Sequence, residues 1–254
     1  MKAARRLFGF FTVLPLSSSG SVEDVARAGF LLPLVAVLLG GIEGLVGWGS
    51  GWLLGQPVAA AAMLATALLL TGLHHTDGLA DLGDALMVHG DSARRIQVLK
   101  DRTMGVGAVS AMLITSLISW AALLQLLALR GTGSELVWLL MAGEISARLG
   151  MLMVIAAGRP SHDGTGRIFL EEMKGWRIAA GILLSIASLA LVAIFIPMAG
   201  VLAAAVAAAA TGLFLAAAGR HWLGGCGGDV LGAAVELGRM AALLALVAVL
   251  IHTG

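Results

Sequence analysis

The chain has one cysteine, Cys226, among 254 residues, and only 12% of its residues are Asp, Glu, Lys or Arg. A lone thiol excludes an internal disulfide framework and any metal centre built from several cysteines. Soluble domains carry roughly 25% charged residues, because a folded surface has to be wetted. A chain with half that content has too little polar surface to fold as an ordinary soluble domain. It also lacks Gly-rich linkers, although it has 35 glycines. Glycine and alanine are spread through the apolar runs, and no internal repeat is evident.

What is present is apolar. The sequence is 59% hydrophobic with a mean hydropathy of +0.97, and its runs are long enough to cross a hydrocarbon core of about 30 Å. These features predict an all-α, polytopic transmembrane bundle forming one domain over residues 1–254. Seven spans are expected, near residues 26–48, 57–73, 104–129, 135–157, 178–197, 199–218 and 230–252. The second is the shortest. Small residues throughout the spans predict close helix packing.

The basic residues test this layout, because short cytoplasmic loops accumulate Lys and Arg. With a cytoplasmic N-terminus, Lys2, Arg5, Arg6, Arg94, Arg95, Lys100, Arg102, Arg159, Arg167, Lys174, Arg177 and Arg220 fall inside, and only Arg130 falls outside. The opening stretch MKAARRLFGFFTVLPL reads as an interfacial helix, its basic residues meeting anionic headgroups, and not as a cleaved signal.

Acids are scarce, yet HHTDGLADLGDAL gathers three of them directly after the second run. On a helix Asp77, Asp81 and Asp84 fall at i, i+4 and i+7, within about 60° of arc. Two unit charges about 6 Å apart repel by roughly 3 kcal/mol at an effective dielectric near 20. Shifted protonation, nearby arginines or a divalent cation relieves such crowding. All-oxygen donors suit Mg²⁺, which keeps waters and shares substrate phosphates; the alternative is a solvated polar cap ending the span. Downstream, Asp101 stands at the entrance of the third span, where it can close an acidic site, and Arg94, Arg95 and Arg102 are candidates for phosphate or for lipid headgroups.

At these residues the sequence resembles the cobalamin synthase family, the adenosylcobinamide-GDP ribazoletransferases. The resemblance runs through FFTVLP (10–15), HTDGLADLGDAL (75–86), DRTMGVGA (101–108), GTG (164–166) and GGCGGDVLGAAVE (224–236). The His-x-Asp-Gly-x-x-Asp-x-x-Asp core is its most specific part. The chain departs from the family pattern at Val13 and Leu14, where a polar residue is usual, and at Gly227, where threonine commonly precedes Gly-Asp.

The resemblance implies a Mg²⁺-dependent enzyme of cobalamin biosynthesis in a prokaryotic cytoplasmic membrane, with active-site loops on the cytoplasmic side. It transfers the corrinoid phosphoryl moiety of adenosylcobinamide-GDP to α-ribazole or α-ribazole 5′-phosphate and releases GMP. Asp77, Asp81, Asp84 and Asp101 are then expected to hold Mg²⁺, with a carboxylate of the stripe or His75 as general base and the ribazole 5′-hydroxyl as nucleophile. Arg94, Arg95, Arg102, Arg148, Arg167, Gly166, Asp229 and Glu236 are the expected substrate contacts. Glu144 and Arg148 are one turn apart in a span and are expected to pair; Glu43 is left without a role. His74 reads as interfacial.

Membrane lipid is an expected partner and nucleic acid is not; an oligomer is left open. Rival readings are a CDP-alcohol phosphotransferase, whose Asp-Gly-x-x-Ala-Arg core is unmatched at Asp77, a prenyltransferase, and a cation-coupled transporter, which tends to place its acids near the midplane on repeated, broken helices.

Overall fold

The computed structural model describes residues 2–16, 20–101 and 103–253; Arg102 lies outside them. The described residues form helices with no strand. A short helix, α1 (Lys2–Phe11), leads to α2 (Val22–Arg27) and a 3-10 turn at Gly29–Leu31. Then come α3 (Leu32–Leu54), α4 (Gln56–Leu70), α5 (His74–Met87), α6 (Ser92–Leu99), α7 (Val106–Arg130) and α8 (Glu135–Ala157). The series ends with α9 (Thr165–Glu172), α10 (Trp176–Val192), α11 (Met198–Trp222) and α12 (Gly228–Thr253).

Five helices are long and apolar enough to cross a membrane by themselves: the segment Gly29–Leu54, which contains α3, and α7, α8, α11 and α12. The other two expected spans are bent pairs. α4 meets α5 at 90°, and α9 meets α10 at 91°, so among the described residues five to seven segments are long and apolar enough to span a membrane. The first break is local in origin. Gly72 has φ 61°, and Leu73 is a non-glycine residue at φ 62°, a left-handed conformation that ends a helix. The apolar run of the second span stops there, and the polar HHTDG sequence restarts as a separate helix.

α8 is the central helix, packed against α3, α10, α11 and α12. Small residues permit this. A Cβ placed on Gly212 of α11 would lie 2.0 Å from the Gly150 carbonyl oxygen of α8, and one on Gly44 of α3 would lie 2.4 Å from Val137 Cα. Both approaches exist only because neither glycine has a side chain.

The loops sort to two ends. At one end Gln56 Nε2 donates to Leu127 O at 3.1 Å and Trp120 Nε1 to Pro57 O at 3.4 Å. At the other, the α8–α9 and α11–α12 loops join in a bridge between Pro160 and Cys226, and α5 lies beneath them across the first turn of α12. The N-terminal helix belongs to this second end. Its apolar side is buried through Leu7 and Phe11, and Arg6 pairs with Asp24 of α2. α1 is thus part of the packed end of the bundle.

Candidate functional site

The second end encloses a cavity of about 420 Å³ with a mixed polar and aromatic lining. Three helices begin at it: α5 contributes His74, His75 and Asp77, α9 contributes Thr165 and Gly166, and α12 contributes Gly228 and Asp229. The first N–H groups of a helix have no intrahelical acceptor and carry its positive dipole end, so such a lining favours anions. Their convergence depends on glycine. A Cβ on Gly166 would stand 2.2 Å from Gly228 N and 2.5 Å from Gly227 C, so the start of α9 rests directly on the backbone that starts α12. Gly78 makes the same kind of contact, since its Cβ would lie 2.9 Å from Asp229 Cα.

Aromatic rings from α1 and α9 form one wall. Phe11 stacks on the His75 imidazole with centroids 5.9 Å apart and planes 18° from parallel, and Phe169 meets Phe11 edge-on at 5.6 Å. His75 is buried, and neither ring nitrogen has a protein partner.

The aspartates divide. Asp77 and Asp229 line the cavity, and Asp81 lies beside them, within electrostatic range of both. Asp84 faces another way: Oδ2 accepts Gly105 N–H at 2.7 Å and Oδ1 accepts Ala108 N–H at 2.8 Å, which caps the start of α7. Asp101 Oδ1 accepts from Thr103 N at 3.0 Å and Thr103 Oγ1 at 2.7 Å. Among the described residues no three His, Cys, Asp or Glu side chains converge as a metal cage, so the expected four-aspartate set is not assembled. Asp77 and Asp229, with Asp81 adjacent, form a hard-oxygen rim. Such a rim fits Mg²⁺, which is commonly held by one or two carboxylates together with waters and substrate phosphates.

Arg148 and Glu236, expected at the cavity, stand in the bundle core. Arg148 is fully buried and donates to Glu144 at 2.7 Å, as the i, i+4 spacing predicts. Arg239 joins the same Glu144 from α12 and donates to Glu236 at 2.7 Å. Buried charges have to be paired, and this network engages both expected substrate contacts through one atom each, Arg148 Nη1 and Glu236 Oε2. Glu43, left without a role by the sequence, enters the same cluster, buried on α3 beside Glu144 and Arg239. The network ties α8 to α12 and so holds the helix that carries Asp229.

Among the described residues, the other expected cations are not on the cavity lining. Arg94 is exposed and bonds Gln97 at 3.2 Å; Arg95 Nη1 donates to the α5 carbonyls of Ala85 at 2.8 Å and Leu86 at 3.1 Å. Arg167 is held by Asp163 and Glu171 along α9. In the α8–α9 loop His162 accepts or donates at Ser161 Oγ over 2.7 Å; partial burial and the nearby Lys100 lower its pKa. Sequence reading put His74 at the membrane interface, gave Phe10 and Phe11 no role and missed Thr165 and Phe169, all of which line the cavity. The aromatic signal was present in FGFF, but its partners are more than sixty residues away.

A polytopic helical membrane protein with an acid-rimmed cavity at one end, into which three helix N-termini open, is the class that fold and site define. The sequence pattern of the cobalamin-5-phosphate synthase family matches residues 3–247. The chain belongs to that family and is a transferase of cobalamin biosynthesis. A protein of Halorubrum lacusprofundi called adenosylcobinamide-GDP ribazoletransferase is 34% identical over 253 residues, covering 96% of this chain and 95% of its own. Proteins of the same name from Methanocella arvoryzae and Methanosarcina mazei are 32% and 28% identical, covering 98% and 93% of this chain and 97% and 88% of their own lengths. No solved structure matches.

Proposed function

We propose that the cavity binds adenosylcobinamide-GDP and α-ribazole or its 5′-phosphate, and joins them with release of GMP. The observation that carries this reading is the meeting of Asp77 and Asp229 with the N-terminal turns of α5, α9 and α12 in one cavity. Phosphoryl transfer requires an in-line approach and positive potential at the phosphate oxygens. The helix N-termini supply fixed N–H donors for those oxygens. Asp77 and Asp229, completed by waters and substrate phosphates, would hold Mg²⁺, whose contribution is to neutralise phosphate charge.

In the transfer a ribose hydroxyl forms a bond to the corrinoid-side phosphorus, the bridging P–O bond breaks, and GMP leaves. The hydroxyl proton passes to a carboxylate of the rim or to His75. A 5′-phosphorylated acceptor, which the family's name implies, has its 5′-oxygen already esterified. The nucleophile is then a ring hydroxyl of the ribose, in place of the 5′-hydroxyl expected from the sequence. The rings of Phe10, Phe11 and Phe169 shield this chemistry from water.

The basic residues gathered in the loops of the cavity end support a cytoplasmic position for that end in a prokaryotic cell. The test is reconstitution of the purified protein in vesicles. GMP formation that requires both the acceptor and Mg²⁺ supports the reading; substrate flux without bond cleavage, or GMP release without acceptor, overturns it.

A further inference from the structure

The acidic face of α5 has an apolar counterpart. Leu82 and Leu86 lie about half a turn around the helix from the aspartate stripe, and they line a separate hollow of about 240 Å³ whose other walls come from α7, α11 and α12. Its surface is almost wholly hydrocarbon. The hollow faces outward. Ile114 of α7 and Phe214 of α11, both on its lining, are 56% and 64% exposed, and both helices are membrane spans. The medium outside is therefore acyl chain, and Ala218 of α11 leaves the space that a larger side chain would fill.

One end of the hollow is marked as the membrane surface. Trp222, the last residue of α11, lines it, and tryptophan concentrates at headgroup level. A cation is fixed beside Leu86 of the lining. Arg95 of α6 reaches the C-terminal carbonyls of α5, including that of Leu86, through Nη1. Among the described residues its other guanidinium nitrogens make no hydrogen bond, which leaves donors for a phosphate. An apolar slot with a guanidinium bonded to the backbone of one of its lining residues complements a chain that ends in a negative charge. A nucleoside or corrin ring would find few polar partners in such walls, where Thr115 and Trp222 alone carry polar side-chain atoms.

We propose that this hollow is the binding site of an anionic phospholipid, with one acyl chain between α5, α7 and α11 and its phosphate against Arg95. The lipid braces the outer face of α5, the helix whose inner face presents Asp77 to the cavity.

The test uses the full chain extracted in mild detergent from membranes that contain phosphatidylglycerol, with retained lipid counted by native mass spectrometry. The wild type is expected to keep a single phosphatidylglycerol. Ala218→Trp fills the hollow and lowers that retention at least about tenfold. Arg95→Gln erases the preference for phosphatidylglycerol over phosphatidylcholine. Unchanged retention in both variants overturns the proposal, as does displacement of the lipid by a ribazole, which would assign the hollow to the acceptor. Should Ala218→Trp not fold, brominated-chain phosphatidylglycerol replaces it. Quenching of the fluorescence that Trp222→Phe removes supports the site, and its absence overturns it.

Discussion

Asp84 Oδ2 accepts the Gly105 N–H at 2.7 Å, so the last aspartate of the acidic stripe is fastened to the start of α7 and turned from the cavity. With Ala108 N–H on its other oxygen, it works as a cap contributed by a neighbouring helix.

Asp84 and Asp77 are therefore expected to fail differently. Asp84→Ala frees two N–H groups and costs about 1–2 kcal/mol of stability, read as a lower unfolding temperature in detergent. Asp77→Asn keeps the side-chain shape and leaves stability near wild type, while turnover falls by at least about 10²-fold. Normal GMP release by Asp77→Asn at limiting Mg²⁺ would remove it from the metal rim.

In the buried network, Arg239 serves both Glu144 and Glu236. Arg239→Met leaves two carboxylates without their shared cation, and breaking a buried pair in this way costs about 3–5 kcal/mol. Glu43 accepts no hydrogen bond at Oε1, so Glu43→Gln breaks no ion pair and is expected to unfold close to wild type. Equal losses in the two variants would show that the network is not organised around Arg239.

Gly166, on the cavity lining, and Gly227, just before the start of α12, give opposite expectations. Gly166→Ala drives a methyl into the backbone at Gly228, 2.2 Å away, where one helix start has to shift. A cost of about 1–3 kcal/mol follows, with a raised KM as α9 is pushed off α12. At Gly227 the atom in the way is the His162 ring, 2.5 Å from an added Cβ, and a side chain in a loop can swing aside. Gly227→Thr, which restores the commoner family residue, is expected to keep both fold and activity, checked by paired thermal and kinetic measurements.

Cys226 has no exposed surface, and burial pushes its thiol up to about 11. The thiolate is the reactive form, and near neutral pH almost none is present. Maleimide is expected to leave the native protein unlabelled and to label it once after denaturation. Rapid labelling of the native protein would mean that the Pro160–Cys226 bridge opens.

The apolar runs made the long spans legible, and the i, i+4 pair of Glu144 and Arg148 was legible too, because both signals are local. Depth was not. Asp229 and Glu236 share a face of α12, yet seven residues of helix separate them by about 10 Å. One therefore reaches the cavity and the other the buried network. The same rise separates Asp77 from Asp84. Spacing in the sequence gives the face a residue occupies, whereas its partner is set by whichever helix crosses at that height. The break at Gly72 and Leu73 has the same character, since its punctuation is visible but the right angle comes from packing against α7 and α12.

The cavity draws its walls from both extremes of the chain, Phe11 near the start and Asp229 more than two hundred residues later. During synthesis, the helices that precede residue 228 enter the bilayer with their acidic motif already in place and nothing opposite it. Competence then arrives in one step, when α12 inserts and docks. A ribosome-bound intermediate holding every earlier helix would still be catalytically silent.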